Sequence, residues 1–264
     1  MRFPAVLDQL EIGPGDLVFL HTSFRRITAL VDGPEDLVTQ LLRRLGPRGT
    51  LAMPRYAWHL DPAARPWKGY REYLERRPSM DLRNTPANIG VVPDAFRTRA
   101  DALASISNLW PVCAVGPAAA AITESQEKVE HPYGPGSTFH RLLEMEAKVV
   151  GLGVTLNTTS LAPVTDCLLG PDWQRRVFTQ EPVPGTVIDL AGREHRVQAY
   201  TLLPETVRDI RPSAVLTGAL VPGTDFPYQV RDGTIFFAYQ AGLYHRAATR
   251  MAAAAQGGCP WLAG

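Results

Sequence analysis

Short apolar runs alternate with helical patterns along the first half of the chain. The runs DLVFLHTS (residues 16–23) and TLAMP (residues 50–54) each predict a buried strand. Between them, leucines recur at helical spacing after Pro34, and Gly46 follows the last of them. Proline at a helix start and glycine after a helix end are typical helix boundaries. The segment therefore predicts a strand-helix-strand unit with two parallel strands.

The rest of the chain continues this alternation and then changes character. NIGVVPDAFRTRA and GPAAAAITESQ predict helices, WPVCAVG a strand, and HRLLEMEAKVVGLGV a helix followed by a strand. From about residue 175 the pattern is hairpin-like, with turns at Ala191-Gly192 and Asp232-Gly233. LYHRAATRMAAAA predicts a closing helix. The pattern favours an α/β fold, a mixed sheet covered by helices, with residues 1–264 forming one domain whose part from about 175 is rich in hairpins.

Composition narrows the class of partner. The 264 residues are 45% hydrophobic and carry 27 Lys plus Arg against 26 Asp plus Glu, so no basic field exists to bind nucleic acid or an anionic membrane. No apolar run approaches 18 residues, no leader pattern is evident, and the three cysteines are far apart. These features predict a cytoplasmic, reduced protein that acts on a small molecule. A homodimer is compatible with the sequence.

The residues that follow the predicted strands are the candidate ligand site, because open α/β sheets bind ligands beyond the carboxyl ends of their strands. Residues 21–26, HTSFRR, offer hydroxyls, turn amides and two arginines to an anion such as phosphate. The alternative is that Thr22 and Ser23 cap a helix. Arg55-Tyr56 and the stretch from Gly153 to Ser160 follow the other strands.

Three further groups carry potential chemistry. His59 lies in an aromatic excursion with Tyr56, Trp58, Trp67, Tyr70 and Tyr73, which predicts either a lid over a planar or sugar-like substrate or a surface loop pinned by its own rings. Cys113 and Cys167 are interpreted as buried, inert thiols or as nucleophiles that would need a neighbouring cation. The six histidines form no metal-ligand spacing, so no metal is predicted.

Six segments, read in order, resemble the aminoglycoside 3-N-acetyltransferase family. They are GDLVFLHTSFRRI, GPRGTLAMP, NTPANIGVVPDAFRTR, CAVGPAAAAIT, HPYGPGSTFHRLLEMEAKVVGLGV and TTSLAPVTD, which span roughly residues 15–166. The resemblance implies an α/β fold unlike that of the GNAT acetyltransferases, a donor that is acetyl-CoA or another acyl-CoA, and an amine acceptor. It also implies that coenzyme A phosphates and pantetheine lie against His21, Thr22, Ser23, Phe24, Arg25 and Arg26, with Tyr133 and Ser137 beside the same cleft.

The chain departs from the family pattern at its proton-moving residues. Ser105 matches the family's serine, whereas Ser107 and Trp110 stand where the family has two histidines. The family's His-x-x-Glu after the Thr-rich turn is replaced by residues 162–165, APVT, and Asp166 follows one residue later. Neither replacement can take up a proton near pH 7.

These departures predict an N-acyltransferase whose acceptor is a small amine or biosynthetic intermediate other than a classical aminoglycoside. Asp166 is the candidate base and Ser105 and Ser107 are candidate oxyanion donors; the alternative for Asp166 is an ordinary helix N-cap. The predicted substrate contacts are Tyr56, His59, Asn108, Trp110 and Thr159. Two other functions stay open: the same fold used with another acyl carrier or for a condensation or cyclisation, and a non-catalytic binder.

Overall fold

A seven-stranded mixed sheet flanked by helices forms the centre of the computed structural model, which describes residues 2–57, 69–203 and 211–255. The described helices are α1 (Phe3–Gln9), α2 (Pro34–Leu45), α3 (Tyr70–Arg76), α4 (Val91–Arg97), α5 (Ala119–Thr123), α6 (Thr138–Glu144), α7 (Ala162–Leu168), α8 (Pro171–Val177), α9 (Pro212–Gly218) and α10 (Ala241–Ala254). The described strands are β1 (Leu17–Thr22), β2 (Thr50–Pro54), β3 (Ser79–Asp81), β4 (Leu103–Ala104), β5 (Val112–Val115), β6 (Lys148–Leu152), β7 (Val183–Ile188), β8 (Glu194–Ala199), β9 (Tyr228–Arg231) and β10 (Thr234–Gln240).

The strand order of the large sheet is β4-β5-β2-β1-β6-β10-β9. β1 is parallel to both neighbours, with Phe19 opposite Ala52 of β2 and Val149 of β6. β5 and β10 flank this parallel centre as antiparallel strands. A second sheet has the order β3-β7-β8. The predicted mixed α/β class and the parallel pairing of β1 and β2 are therefore confirmed.

Local signals in the sequence fix several boundaries. Helix α2 begins at Pro34, and Gly46 follows its last residue with φ of 66°, where glycine is favoured. Both predicted hairpins are present, β7 with β8 and β9 with β10, and Gly192 and Gly233 adopt positive φ in their turns. The sequence did not predict α1, α8 or α9, each of which has only seven residues.

Alternation along the central strands places apolar side chains on both faces of the large sheet. Val18 and Leu20 pack into one core with α1, α2 and α4, whereas Phe19 packs into the other with α5, α6 and α10. Burial on both faces explains why the central strands are continuous apolar runs. None of the helices in the described ranges is long and apolar enough to cross a membrane.

Gly151 of β6 lies directly opposite Phe237 of β10. An added Cβ at Gly151 would come 2.1 Å from Cε1 and 2.3 Å from Cζ of the Phe237 ring, which is fully buried. The ring therefore occupies the space that any larger residue at position 151 would need. Glycine at this position lets β6 and β10 pair while the Phe237 ring packs between the sheet and its helices.

Candidate active site

A cavity of about 310 Å³ lies at the carboxyl ends of the central strands. Its wall includes His21 and Thr22 from the end of β1, Pro54 and Tyr56 from the end of β2, and residues 157–160 from the loop after β6. Larger depressions, of about 390 Å³ beside His131 and about 670 Å³ beside β7 and β8, lie elsewhere. Because ligands of open α/β sheets bind at the strand ends, the cavity there is the candidate active site.

Four aromatic residues form one side of the cavity and are called the aromatic wall. Trp110 contacts Tyr56, Tyr70 and Tyr133 edge-on, with ring centroids 5.4, 4.9 and 5.6 Å apart. Trp110 is 3% exposed. Such edge-to-face contacts fix ring orientations. The wall therefore presents a rigid, largely apolar surface to a ligand.

The hydroxyls in and beside the cavity are neutral hydrogen-bonding groups. The Tyr239 hydroxyl donates to Thr159 Oγ1 at 2.8 Å, and the side chains of Ser160 and Tyr133 lie beside the Tyr56 hydroxyl. Burial raises the pKa of Tyr56, Tyr70 and Tyr239 well above the ordinary tyrosine value. These phenols keep their protons at neutral pH and can orient a carbonyl without titrating.

His21 is the imidazole of the cavity. It is 5% exposed, and its ring stands edge-on to Phe19 at 4.9 Å between centroids. Burial lowers the pKa of His21 to about 3, so the ring is neutral at pH 7. Its Nε2 and the Oγ1 of Thr22 are buried without a hydrogen-bond partner among the described residues. Two polar atoms at the end of β1 are thus left for a bound ligand.

Formal charge is absent from the described cavity lining. The other lining residues are apolar or uncharged: Leu20, Ile89, Pro93, Asn157, Thr158, Pro163, Leu202 and Pro212. Within the described ranges, no group of three or more His, Cys, Asp and Glu side chains is arranged to hold a metal ion. A cavity of this composition suits a neutral ligand with an apolar face.

The predicted cofactor residues separate into two sets. His21, Thr22 and Tyr133 line the cavity. Ser23, Phe24, Arg25 and Arg26 do not; residues 24–26 form a short 3-10 turn, in which Phe24 packs on the core and both arginines are exposed. Ser23 stands at the cap position of that turn but makes no side-chain cap bond. Ser137 is fully buried and its Oγ accepts from His140 N at 3.1 Å as the N-cap of α6.

The predicted substrate residues also divide. Tyr56, Trp110 and Thr159 line the cavity, and so does Tyr70 of the predicted lid. Asn108 is buried outside the lining and its Nδ2 donates to Pro78 O at 3.3 Å. His59, Trp58 and Trp67 lie outside the described residues. Sequence reasoning missed Leu202 and Pro212, which come from the distant C-terminal half and carry no local signal.

The three predicted catalytic residues are not brought into the cavity lining. Ser105 Oγ accepts from Val112 N, and Ser107 Oγ accepts from Trp110 N, both at 3.0 Å. Each hydroxyl therefore stabilises the backbone conformation of the loop that carries Trp110. Asp166 is fully buried inside α7. Because α7 begins at Ala162, the alternative that Asp166 is an N-cap is wrong.

Both described cysteines are buried. Burial raises the pKa of Cys113 to about 11 and that of Cys167 further still. Cys167 Sγ lies 3.2 Å from His131 Nδ1, and burial lowers the pKa of His131 to about 4. The pair is therefore a neutral thiol against a neutral imidazole, as expected for thiols that serve packing.

A cavity at the strand ends of a mixed α/β fold is typical of proteins that bind small molecules. Comparison with known proteins identifies the family. Residues 19–209 match the family model described as aminoglycoside 3-N-acetyltransferase. Aminoglycoside N(3)-acetyltransferase VII of Streptomyces paromomycinus is 30% identical over 190 residues, which cover 69% of this chain and 65% of that protein. This chain therefore belongs to the aminoglycoside 3-N-acetyltransferase family, as its sequence segments predicted.

Solved structures agree on the fold. AAC-VIa bound to sisomicin matches with a TM-score of 0.72 at 21% identity, covering 95% of this chain and 96% of that one. AAC-IIIb in a binary complex with CoASH matches with a TM-score of 0.69 at 19% identity, covering 95% and 94%. At these identities the likeness concerns the fold. The match to the S. paromomycinus relative spans about two thirds of that protein's length.

Proposed function

We propose that this protein is an N-acyltransferase that moves an acyl group from acetyl-CoA, or another acyl-CoA, to a small amine held in the strand-end cavity. The observation that carries the proposal is the cavity itself, whose lining combines His21 and Thr22 with the aromatic wall at the ends of the parallel strands. The relatives' names as N(3)-acetyltransferases and the CoASH complex of a neighbour support the same reaction.

The residues at the end of β1 fit a coenzyme A thioester. The exposed guanidiniums of Arg25 and Arg26 suit phosphate oxygens, which arginine binds through paired N–H groups. The buried, unpartnered Nε2 of His21 and Oγ1 of Thr22 suit the amides and carbonyl of a pantetheine arm. An acyl-CoA would thus place its phosphates outside the cavity, beside the two arginines, and its pantetheine amides inside the cavity.

The acceptor we propose is an amine that is neutral at pH 7 and has an apolar or aromatic face. A polycationic aminoglycoside would lose hydration in a cavity whose described lining offers no carboxylate. The resemblance places Ser107 and Trp110 where the family has two histidines, and Ala162 and Thr165 where it has His-x-x-Glu. The relatives' names favour aminoglycosides, so this part of the proposal depends on the composition of the cavity.

Coenzyme A should stabilise the protein against thermal unfolding. At a hundredfold excess over Kd the stabilisation is expected to be about 2.7 kcal/mol. Replacing Arg25 and Arg26 together by alanine should raise Kd by about tenfold or more, because charge-assisted hydrogen bonds to phosphate are lost. Arg250→Ala, an exposed arginine of α10, is the matched control. A melting temperature that does not move with millimolar coenzyme A would contradict the donor assignment.

Aromatic amines should be better acceptors than gentamicin or kanamycin. At pH 7 an alkylammonium with a pKa near that of lysine has about 10³-fold fewer neutral molecules than an amine of pKa below 7. We therefore expect kcat/KM for aniline derivatives to exceed that for the antibiotics by about 10²-fold or more, measured as thiol release from acetyl-CoA. Efficient acetylation of gentamicin at neutral pH would refute the acceptor proposal and leave the transferase proposal intact.

Absence of turnover with every amine, combined with a clear thermal response to coenzyme A, would favour the non-catalytic binder. The loss of both family proton-moving residues is the observation behind that second candidate. Turnover of acyl-CoA without an N-acyl product would favour another reaction on the same fold. Mass spectrometry of the products separates these outcomes.

A further inference from the structure

His21 differs from every other described residue of the cavity lining in its proton chemistry. The lining otherwise consists of hydroxyls, one amide, prolines and hydrocarbon or aromatic side chains. Burial raises the pKa of the tyrosines, so they act as donors and not as bases. Among the described lining residues, His21 alone has an imidazole nitrogen that can accept a proton, and its lowered pKa keeps that nitrogen unprotonated at pH 7.

The position of the His21 ring is set by the centre of the fold. His21 pairs with Gly151 of β6 in the parallel ladder, so its backbone is fixed on the central strand. The edge-on contact with Phe19, at 4.9 Å, supports the ring from the protein side. The ring is therefore held on a rigid strand. A catalytic group needs such a fixed position to meet the reacting atom.

None of the other described histidines lines the cavity, and each has a side-chain partner at one ring nitrogen. These partners are side chains within 3.2 Å: Cys167 for His131, Glu144 for His140, Asp189 for His195 and Thr165 for His245. His21 Nε2 has no partner among the described residues. The Nε2 of His131 is also unpartnered within the described ranges, but that ring lines the separate depression of about 390 Å³. A buried polar atom without a partner costs free energy in the empty protein, and a ligand N–H or hydroxyl would remove that cost.

We infer that His21 is the catalytic base that takes the place of the family's missing histidine; this inference rests on the proposed transferase function. The acceptor nitrogen attacks the thioester carbonyl carbon and a C–N bond forms. The excess proton on that nitrogen passes to the His21 imidazole. The C–S bond then breaks, the imidazolium returns the proton to the coenzyme A sulfur, and the amide and free thiol leave with His21 neutral again.

Asp166 is the competing candidate from the sequence. It is fully buried in α7 and is not part of the cavity lining, whereas Pro163 of the same helix is. A base must come within hydrogen-bond reach of the proton that it removes. Of these two candidates, only His21 belongs to the described cavity lining.

The test compares His21→Asn and His21→Ala with His195→Asn and Asp166→Asn, using acetyl-CoA and the aniline derivative that the native protein acetylates fastest. His195 lies on β8, where its Nε2 bonds to Asp189, so its replacement controls for the loss of an imidazole elsewhere. We expect His21→Asn to lower kcat by about 10²–10⁴-fold, and the thermal response to coenzyme A to persist. Added imidazole should restore part of kcat to His21→Ala and leave His195→Asn unchanged.

Each other result has a definite meaning. If the native protein turns over amines and His21→Asn keeps full kcat, or raises only KM for acetyl-CoA, His21 binds the donor and the inference is wrong while the proposed function stands. A loss of kcat in Asp166→Asn alone would assign the base to Asp166 and also overturn the inference. If the native protein acetylates no amine, the proposed function fails and the inference fails with it.

Discussion

Lowering the pH from 7 to 4.5 should reduce the free energy of unfolding by about 5 kcal/mol through His21 and His131. Burial lowers the pKa of these imidazoles to about 3 and about 4, whereas the unfolded chain takes up protons near the ordinary value of 6.5. Between these values the unfolded state binds more protons than the folded state. Stability is therefore full above pH 6.5 and is lost as the pH falls toward 4.

Urea unfolding at pH 7, 6, 5 and 4.5 measures this loss, and the double variant His21→Gln, His131→Gln is the comparison. The slope of unfolding free energy against pH should be clearly smaller in the double variant. The pKa values of Asp81 and Asp189 are held low by hydrogen bonds from Arg83 and from His195 and Arg193, so the stability they contribute is lost only at lower pH. Equal slopes in the native and double-variant proteins above pH 4.5 would show that these histidines do not control acid stability.

Replacing Gly151 with alanine should destabilise the fold by about 3 kcal/mol, a large effect for one methyl group. The new Cβ would overlap the Phe237 ring, which is buried in the core and cannot move without displacing its neighbours. Gly13→Ala is the matched control, because nothing lies within 4 Å of a Cβ there. Urea unfolding gives both values.

The double variant Gly151→Ala, Phe237→Leu identifies the cause. A smaller side chain at position 237 removes the overlap, so the double variant should be more stable than the sum of the two single changes predicts. Additive effects would mean that the cost arises from the strand backbone and not from the ring. Direct contact between the two positions makes a coupling of measurable size the expected result.

The sequence predicted the parts of the fold that are local. The first strand-helix-strand unit could be predicted because Pro34 and Gly46 mark the ends of α2 and the flanking strands are apolar throughout. The hairpins could be predicted from their turn residues. The pairing of β3 with β7 joins residues more than 100 positions apart, and no local pattern specifies such a register.

The candidate site, like the fold, was predictable only where the sequence carries a local signal. The rule that ligands bind at strand ends drew attention to His21, Thr22, Tyr56 and Thr159, and all four line the cavity. It gave no orientation for the residues beyond Ser160, where the chain enters α7 and Asp166 becomes buried in that helix. The roles of Ser105 and Ser107 as acceptors of backbone N–H groups depend on a loop conformation that single residues do not specify.

The aromatic wall also gives the protein an optical property. Trp110 is 3% exposed, touches three tyrosine rings and forms part of the cavity surface, so its indole lies in an apolar environment beside any ligand that binds there. We expect that a ligand in the cavity changes the polarity around this chromophore, which tryptophan fluorescence would report. Trp110 thus places an intrinsic fluorophore at the surface of the cavity.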